Sequence, residues 1–309
     1  MNIAIGADIG GTHITSAAID LDSFSVIENS YYNQKIDNKS TKEVILKQWA
    51  SCLNNSINAV DLNSNHLLGV GIAIPGPFDY ANGIGKYERN DKYESLYNVS
   101  IIDGLAREIQ NSNIKLRFLN DASSFGVGSD LLENLNEDHT IAITLGTGFG
   151  ATFLKNKVPL ITGNGVPENG CLWDKDFKDG IADDYFSTRW LINHYGGLTG
   201  NDTAGCGVKE LIDSDPENMK LVFTDFANNL CEFLYPHLKA FDTDVLFIGG
   251  NIAKASSYFL DILEDCIAEG KLKTKIRIVT EAEKVGVIGA AYLFNPGFWD
   301  RIRTELPSI

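Results

Sequence analysis

The chain has 309 residues, 44% hydrophobic and 22% charged, which suits one or two globular domains with buried cores. Its 26 Lys+Arg against 41 Asp+Glu leave a net charge of −15, which repels nucleic-acid backbones and anionic lipid and argues against both as partners. No apolar run reaches the ~20 residues of a membrane span, and the start MNIAIGADIGGT lacks the basic and apolar regions of a signal peptide. The five cysteines are scattered without a CxxC pair, so the expectation is a cytoplasmic protein with neither a disulfide framework nor a thiolate zinc site.

Taken in chain order, residues 3–11 (IAIGADIGG) and the alternating HITSAAID predict a strand, a tight turn and a returning strand. Asp8-Ile9-Gly10-Gly11-Thr12 sits at that turn. Gly10 and Gly11 let backbone N–H groups approach an anion, the Thr12 hydroxyl adds a donor, and Asp8 is placed to bind Mg²⁺ directly or through water. The alternative is an ordinary Gly-Gly hairpin. A helix is predicted over 41–60, and a strand over 66–74 runs into the turn Pro75-Gly76-Pro77. A helix over 100–111 precedes a strand at 114–119, and Asn120-Asp121 then opens a helix over 122–135. Asn-Asp reads there either as a helix cap or as a base, Asp121, at the carboxyl end of a strand. A base at that point would take the proton of a sugar hydroxyl attacking the γ-phosphate of ATP, with Asn120 bonding a neighbouring hydroxyl.

Residues 141–149 (IAITLGTGF) repeat the opening block: Ile3/Ile141, Ala4/Ala142, Ile5/Ile143 and Gly10/Gly148 coincide, which suggests duplication of one lobe. Gly146-Thr147-Gly148 is then a second glycine turn, and the strand 243–249 ends in a third glycine element, Gly249-Gly250-Asn251. Together these three favour a nucleotide site, although each alone also reads as a plain turn. The segment 155–180 is irregular and rich in Gly, Asn and Asp, and helices are predicted over 181–195, 216–240, 252–269 and 283–295. Strands alternating with helices make an α/β protein.

The order of these motifs resembles the ROK family of sugar kinases across nearly the whole chain. Asp8–Thr12 is similar to the family's DxGGT motif, GVGIAIPGPFD (69–79) to its PGP segment, and LNDASSFGVGSD (119–130) to the block that carries the catalytic Asp. TLGTGFGATF (144–153), VLFIGGNIA (245–253) and VGVIGAAYL (285–293) resemble its second phosphate motif, adenosine motif and closing helix. The resemblance implies two ribonuclease-H/actin-like lobes with a central active-site cleft, lobe one being 1–119 plus 290–309 and lobe two 120–289. It implies ATP with Mg²⁺ at Asp8, Gly10, Gly11, Thr12, Gly146, Thr147, Gly148, Gly249, Gly250 and Asn251. Asp121 would be the base, and Pro75, Gly76, Asn120, Glu168 and Asp183 would join it around the sugar. A homodimer is implied as well. The activity expected is phosphorylation of a hexose, glucose first, at its 6-hydroxyl, with an N-acetylhexosamine kinase or a non-DNA-binding sugar sensor as alternatives. A ROK-type DNA-binding regulator is disfavoured, because the phosphate motif begins at Asp8 and the net charge is −15.

The chain departs from the family where ExGH reads Glu168-Asn169-Gly170-Cys171 and where the cysteine-rich zinc knuckle is replaced by DKDFKDGIADD. Asp183 matches the family's sugar-contacting Glu through Asp183-x-Tyr185-x-Ser187. No structural zinc is therefore expected, and Leu172, Trp173, Phe177 and Ile181 are expected to pin the segment by burial.

Overall fold

The computed structural model describes residues 1–89, 92–110, 113–133 and 138–306. The chain divides into two compact units, one of residues 1–135, 157–159 and 283–309 and the other of 136–156 and 160–282. The first sheet contains β1 (Asn2–Ile9), β2 (His13–Asp20), β3 (Tyr32–Lys35), β4 (His66–Ile74) and β5 (Leu116–Asn120), in the order β3-β2-β1-β4-β5. Strands β3, β2 and β1 are antiparallel, while β1, β4 and β5 are parallel. The second sheet contains β6 (His139–Leu145), β7 (Phe149–Lys155), β8 (Val158–Leu160), β9 (Val245–Gly249) and β10 (Lys275–Ile278), in the order β8-β7-β6-β9-β10. Strands β6 and β7 are antiparallel, and β6, β9 and β10 parallel. The two orders coincide strand for strand, so the weak repeat between residues 3–11 and 141–149 reflects a duplicated ribonuclease-H/actin-like lobe.

The helices are α1 (Lys42–Asn58), α2 (Ile101–Ala106), α3 (Asp121–Glu133), α4 (Ala182–Tyr185), α5 (Thr188–Thr199), α6 (Val208–Ser214), α7 (Pro216–Ala240), α8 (Leu260–Glu269), α9 (Ala282–Ala291) and α10 (Pro296–Ile302). Helix α1 buries Ile45, Trp49, Leu53 and Ile57, one face at every fourth residue, in the core of the first unit. Helix α7 begins with Pro216 after Asp215, whose side chain accepts the Asn218 N–H, and its Met219, Phe223, Phe226, Leu230 and Phe233 fill the second core. The helix predicted over 181–195 is two, broken at Phe186-Ser187, and the one over 252–269 is a 3-10 stretch, Ile252–Tyr258, followed by α8. Residue 111 and residues 134–135, the predicted ends of two helices, lie outside the described residues.

Glycines in β1 and β4 set the position of α9. A Cβ on Gly6 would lie 1.9 Å from the Val287 carbonyl oxygen, and one on Gly71 1.9 Å from that of Ala290. Helix α3 meets α9 as closely: a Cβ on Gly128 would lie 2.0 Å from the Val285 oxygen, and one on Gly289 1.9 Å from the Ser124 oxygen. Sheet, α3 and α9 thus pack backbone to backbone. That contact draws both helices into the first unit, whose edges fall later than 119 and earlier than 290.

One expectation about cysteine is corrected. Cys231 on α7 and Cys266 on α8 form a disulfide, with Cα atoms 6.2 Å apart. Their separation of 35 residues in sequence concealed the pairing, which the side-by-side packing of two helices creates. No helix among the described residues is long and apolar enough to cross a membrane.

Candidate functional site

The first glycine turn is closed by Gly10 N–H donating to the His13 oxygen at 2.9 Å. Its carbonyls are each tied off. Tyr93 donates its hydroxyl to the Gly10 oxygen at 2.5 Å, Asn38 donates its amide to the Gly11 oxygen, and Ile36 N–H donates to the Thr12 oxygen at 2.9 Å. The N–H groups of Gly11 and Thr12 have no acceptor among the described residues. Donors left over where every carbonyl is satisfied form a seat for an anion. His13 steadies the rim: Nε2 lies 3.0 Å from Glu283 Oε1 and Nδ1 lies 3.2 Å from the Thr12 hydroxyl. The hydrogen bond and charge of Glu283 raise the imidazole pKa above its ordinary value, against the effect of burial.

Asp8 is the penultimate residue of β1, with the neighbouring strands on both sides. Burial first, then the charges of Asp121 and Glu283, push its carboxyl up to about 8, with His13 opposing. Asp121 is also raised, again by burial first. A buried carboxylate of raised pKa such as Asp8, in the field of two others, is one whose charge a divalent cation would relieve, and its hard oxygens suit Mg²⁺. Among the described residues no group of three His, Cys, Asp or Glu could hold a metal. Magnesium beside phosphates asks for only one or two protein carboxylates.

The cap-or-base ambiguity at Asn120-Asp121 has a geometric answer. Asn120 Oδ1 accepts the Ser123 N–H at 3.2 Å, so Asn120 takes the capping position, while Asp121 Oδ1 accepts the adjacent Ala122 N–H at 2.9 Å and its carboxyl is further held by its own N–H and the Asn120 side chain. Asn120 donates through Nδ2 to the Tyr80 hydroxyl at 3.2 Å, and Tyr80 in turn donates to the Ile74 carbonyl at 3.0 Å. Tyr87 donates to the Pro75 carbonyl at 3.0 Å, and the Gly76–Pro77 bond is cis. Two buried tyrosines thus fix the Pro75-Gly76-Pro77 turn and the Asn120 amide together. The sequence offered no local signal for Tyr80, Tyr87 or Tyr93. Their roles arise from contacts with Ile74, Pro75 and Gly10, which lie 6, 12 and 83 residues away in sequence.

In the second unit, Gly146 N–H donates to the Gly148 oxygen at 3.1 Å, and Thr188 donates both its N–H (2.7 Å) and its hydroxyl (2.9 Å) to the Gly146 oxygen. Thr147 is exposed at the tip. Gly250, at φ +91°, would place a Cβ 2.3 Å from the Leu145 oxygen, so only glycine lets the end of β9 lie against this turn. Gly249 is buried at the end of β9, and exposed Asn251 accepts from Lys254 Nζ at 2.9 Å. Asp183 also belongs here: its Oδ1 accepts the Phe149 N–H at 2.7 Å, and its Oδ2 lies 3.6 Å from Arg189.

Glu168 is exposed on a single 3-10 turn, Glu168–Gly170. Cys171 follows, its thiol directed at the Glu168 carbonyl and the Asp174 carboxylate, each 3.7 Å away. Burial and then Asp174 push the thiol up to about 11, so it stays protonated. Of the four residues expected to pin this segment, Leu172 and Phe177 are buried and Ile181 is partly buried. Trp173 is 48% exposed, because its neighbour Leu172 takes the inward position and the chain turns at once into the hairpin Asp176–Phe177/Gly180–Ile181. Phe177 instead joins Tyr185, Phe186 and Phe233 in an aromatic cluster, with centroids 5.0–5.4 Å apart. His194 is committed to Asp225 at 2.8 Å and stacks on Trp190. Purified protein is accordingly expected to contain no stoichiometric zinc and to keep its activity, at fixed Mg²⁺, in a zinc-selective chelator. One zinc per chain by elemental analysis would overturn this.

The sequence model of the ROK family matches residues 4–296, and the chain belongs to that family. It is 22% identical over 320 residues to a glucokinase of Thermotoga maritima, covering 94% of this chain and 96% of that protein. Among solved structures it resembles a ROK family glucokinase of Streptomyces griseus in complex with glucose and AMPPNP, at TM-score 0.70 and 18% identity over 94% of this chain and 98% of that one. It also resembles a ROK family transcriptional regulator described as a homolog of the E. coli MLC protein, at TM-score 0.73 and 16% identity over 98% and 81%.

Proposed function

We propose that this protein is an ATP-dependent sugar kinase that phosphorylates a hexose, glucose first, at its 6-hydroxyl. The observation that carries the reading is Asp121, a carboxylate of raised pKa relieved of capping by Asn120 and placed in the field of Asp8 beside a donor-rich glycine turn. Asp121 takes the proton of the acceptor hydroxyl. The acceptor oxygen–phosphorus bond forms as the bond to the β–γ bridging oxygen breaks, and ADP departs. A carboxylate shifted towards neutrality is a better base near pH 7 than an unperturbed one. Asp8 would hold Mg²⁺, directly or through water, and the ion would supply charge neutralisation to the phosphates. Gly11 and Thr12 donate backbone N–H groups to phosphate oxygens. In this reading Gly146–Gly148 and Gly249–Asn251 bind the nucleotide, and Pro75, Gly76, Asn120 and Glu168 line the sugar. Asp183 reaches the sugar only through an oxygen not already engaged by Phe149.

An N-acetylhexosamine is the second substrate reading, favoured by the small protonated thiol of Cys171 where ROK kinases carry a histidine. A homodimer and a cytoplasmic setting, where ATP is abundant, complete the proposal. The test is an ATP-coupled assay across glucose, mannose, fructose, glucosamine and N-acetylated hexosamines. ADP release with at least one is expected. None above background with any of them would leave a sugar sensor on this fold as the surviving reading.

A further inference from the structure

Resting on the kinase reading, we propose that Lys92 is a catalytic residue that contacts the γ-phosphoryl group of ATP as it is transferred. The Lys92 side chain lies along the second glycine of the first turn: a Cβ on Gly11 would be 3.2 Å from its Nζ, 3.3 Å from Cε and 3.5 Å from Cδ. It is half-buried, and the described carboxyl that feels its charge is that of Asp121. A half-buried cation lying over a glycine turn whose Gly11 and Thr12 N–H groups have no acceptor among the described residues makes that turn a favourable place for an anionic ligand.

The backbone beneath it is built to hold that position. Tyr93 is buried, sits at φ +59°, stacks edge-on against Trp49 and donates its hydroxyl to the Gly10 carbonyl. Its N–H donates to the Asn38 carbonyl at 2.9 Å, and the Asn38 amide binds the Gly11 carbonyl. Tyr93, the residue next to Lys92, is therefore tied to the turn over which Lys92 lies both directly and through Asn38. Among the groups that hold the Asp121 carboxyl down against burial is the Lys92 charge, so the ammonium also stands in the field of the base. A cation both over the phosphate turn and near the base that activates the acceptor is at the phosphoryl group that passes between them. Lys92 moves no proton and forms no bond. It neutralises charge on the equatorial oxygens, as positively charged groups do in phosphoryl transfer. Asp8, Glu283 and His13 are the other charged or titratable groups named at this turn.

The experiment compares wild type with K92M, which keeps chain length and removes charge, and with K92R. For K92M, kcat should fall by about 10²-fold or more while the sugar KM stays within about threefold, and K92R should recover part of the loss. Isothermal titration supplies an arm independent of turnover: AMPPNP should bind K92M about tenfold more weakly than wild type, with ADP unchanged, because ADP lacks the contacted group. Turnover of K92M within threefold of wild type overturns the proposal, and so does an equal loss of AMPPNP and ADP affinity, the mark of a merely loosened turn. A wild-type protein that phosphorylates no sugar would count against the kinase reading. The AMPPNP-to-ADP ratio would still decide Lys92.

Discussion

Asp121→Asn is expected to lower turnover by about 10²-fold or more while leaving sugar binding and the melting curve close to wild type. Asparagine keeps the shape of the side chain and one acceptor oxygen for the Ala122 N–H, which Asp121 now satisfies at 2.9 Å. The capping of α3 rests on Asn120, 3.2 Å from the Ser123 N–H, so the substitution does not fray the helix. What it removes is the capacity to accept the hydroxyl proton. Steady-state kinetics with a thermal melt on the same preparation measures both effects. A variant turning over near the wild-type rate would mean that Asp121 serves only the helix.

Gly71→Ala is expected to be among the most destabilising single-methyl additions in the protein. The new Cβ would lie 1.9 Å from the Ala290 carbonyl oxygen and 2.6 Å from its carbon, both backbone atoms in a helix that no rotamer change can move. Either α9 is pushed off the sheet or β4 bends. Overpacking a core commonly costs 1–3 kcal/mol, and a clash with backbone belongs at about 3 kcal/mol. A loss of that size lowers Tm by on the order of 10 °C for a unit of this size. Gly197→Ala in α5 is the control. Nothing lies within 4 Å of its added Cβ, so helix propensity should leave it neutral or stabilised by up to about 1 kcal/mol. Equal melting temperatures for Gly71→Ala and wild type would show that α9 can slide away freely. The prediction reaches the site as well, because α9 carries Glu283 to His13 and passes Gly286 by Asp8, whose Oδ2 is 3.5 Å from a Cβ built there.

Much of this molecule was legible in one dimension. Strand β4 was expected over 66–74 and α7 over 216–240, and both occupy those residues, because long periodic or continuous apolar segments outvote local turn signals. The duplicated hairpin was readable from Ile3/Ile141 and Gly10/Gly148, since two antiparallel strand pairs buried in the same way restrict their residues alike. Short edge strands β3 and β10 were missed: four residues with an exposed edge carry too little pattern to stand out from a loop.

The motif order from Asp8 through Asp121 to Gly250 by itself determined the family and the class of chemistry, because several short motifs in one fixed order over nearly the whole chain do not arise from a local turn preference. The tertiary structure alone decided which side chains serve those motifs from afar. Tyr93 bonds Gly10 across 83 residues and Glu283 meets His13 across 270, and no local pattern records contacts of that span. It also settled pairings that side-chain type could not: Cys231 with Cys266 across packed helices, Asn120 rather than Asp121 as the cap, and Trp173 turned outwards beside buried Leu172. Sequence constrains what each residue can do locally, whereas burial, partner and charge environment are properties of the neighbours that folding brings.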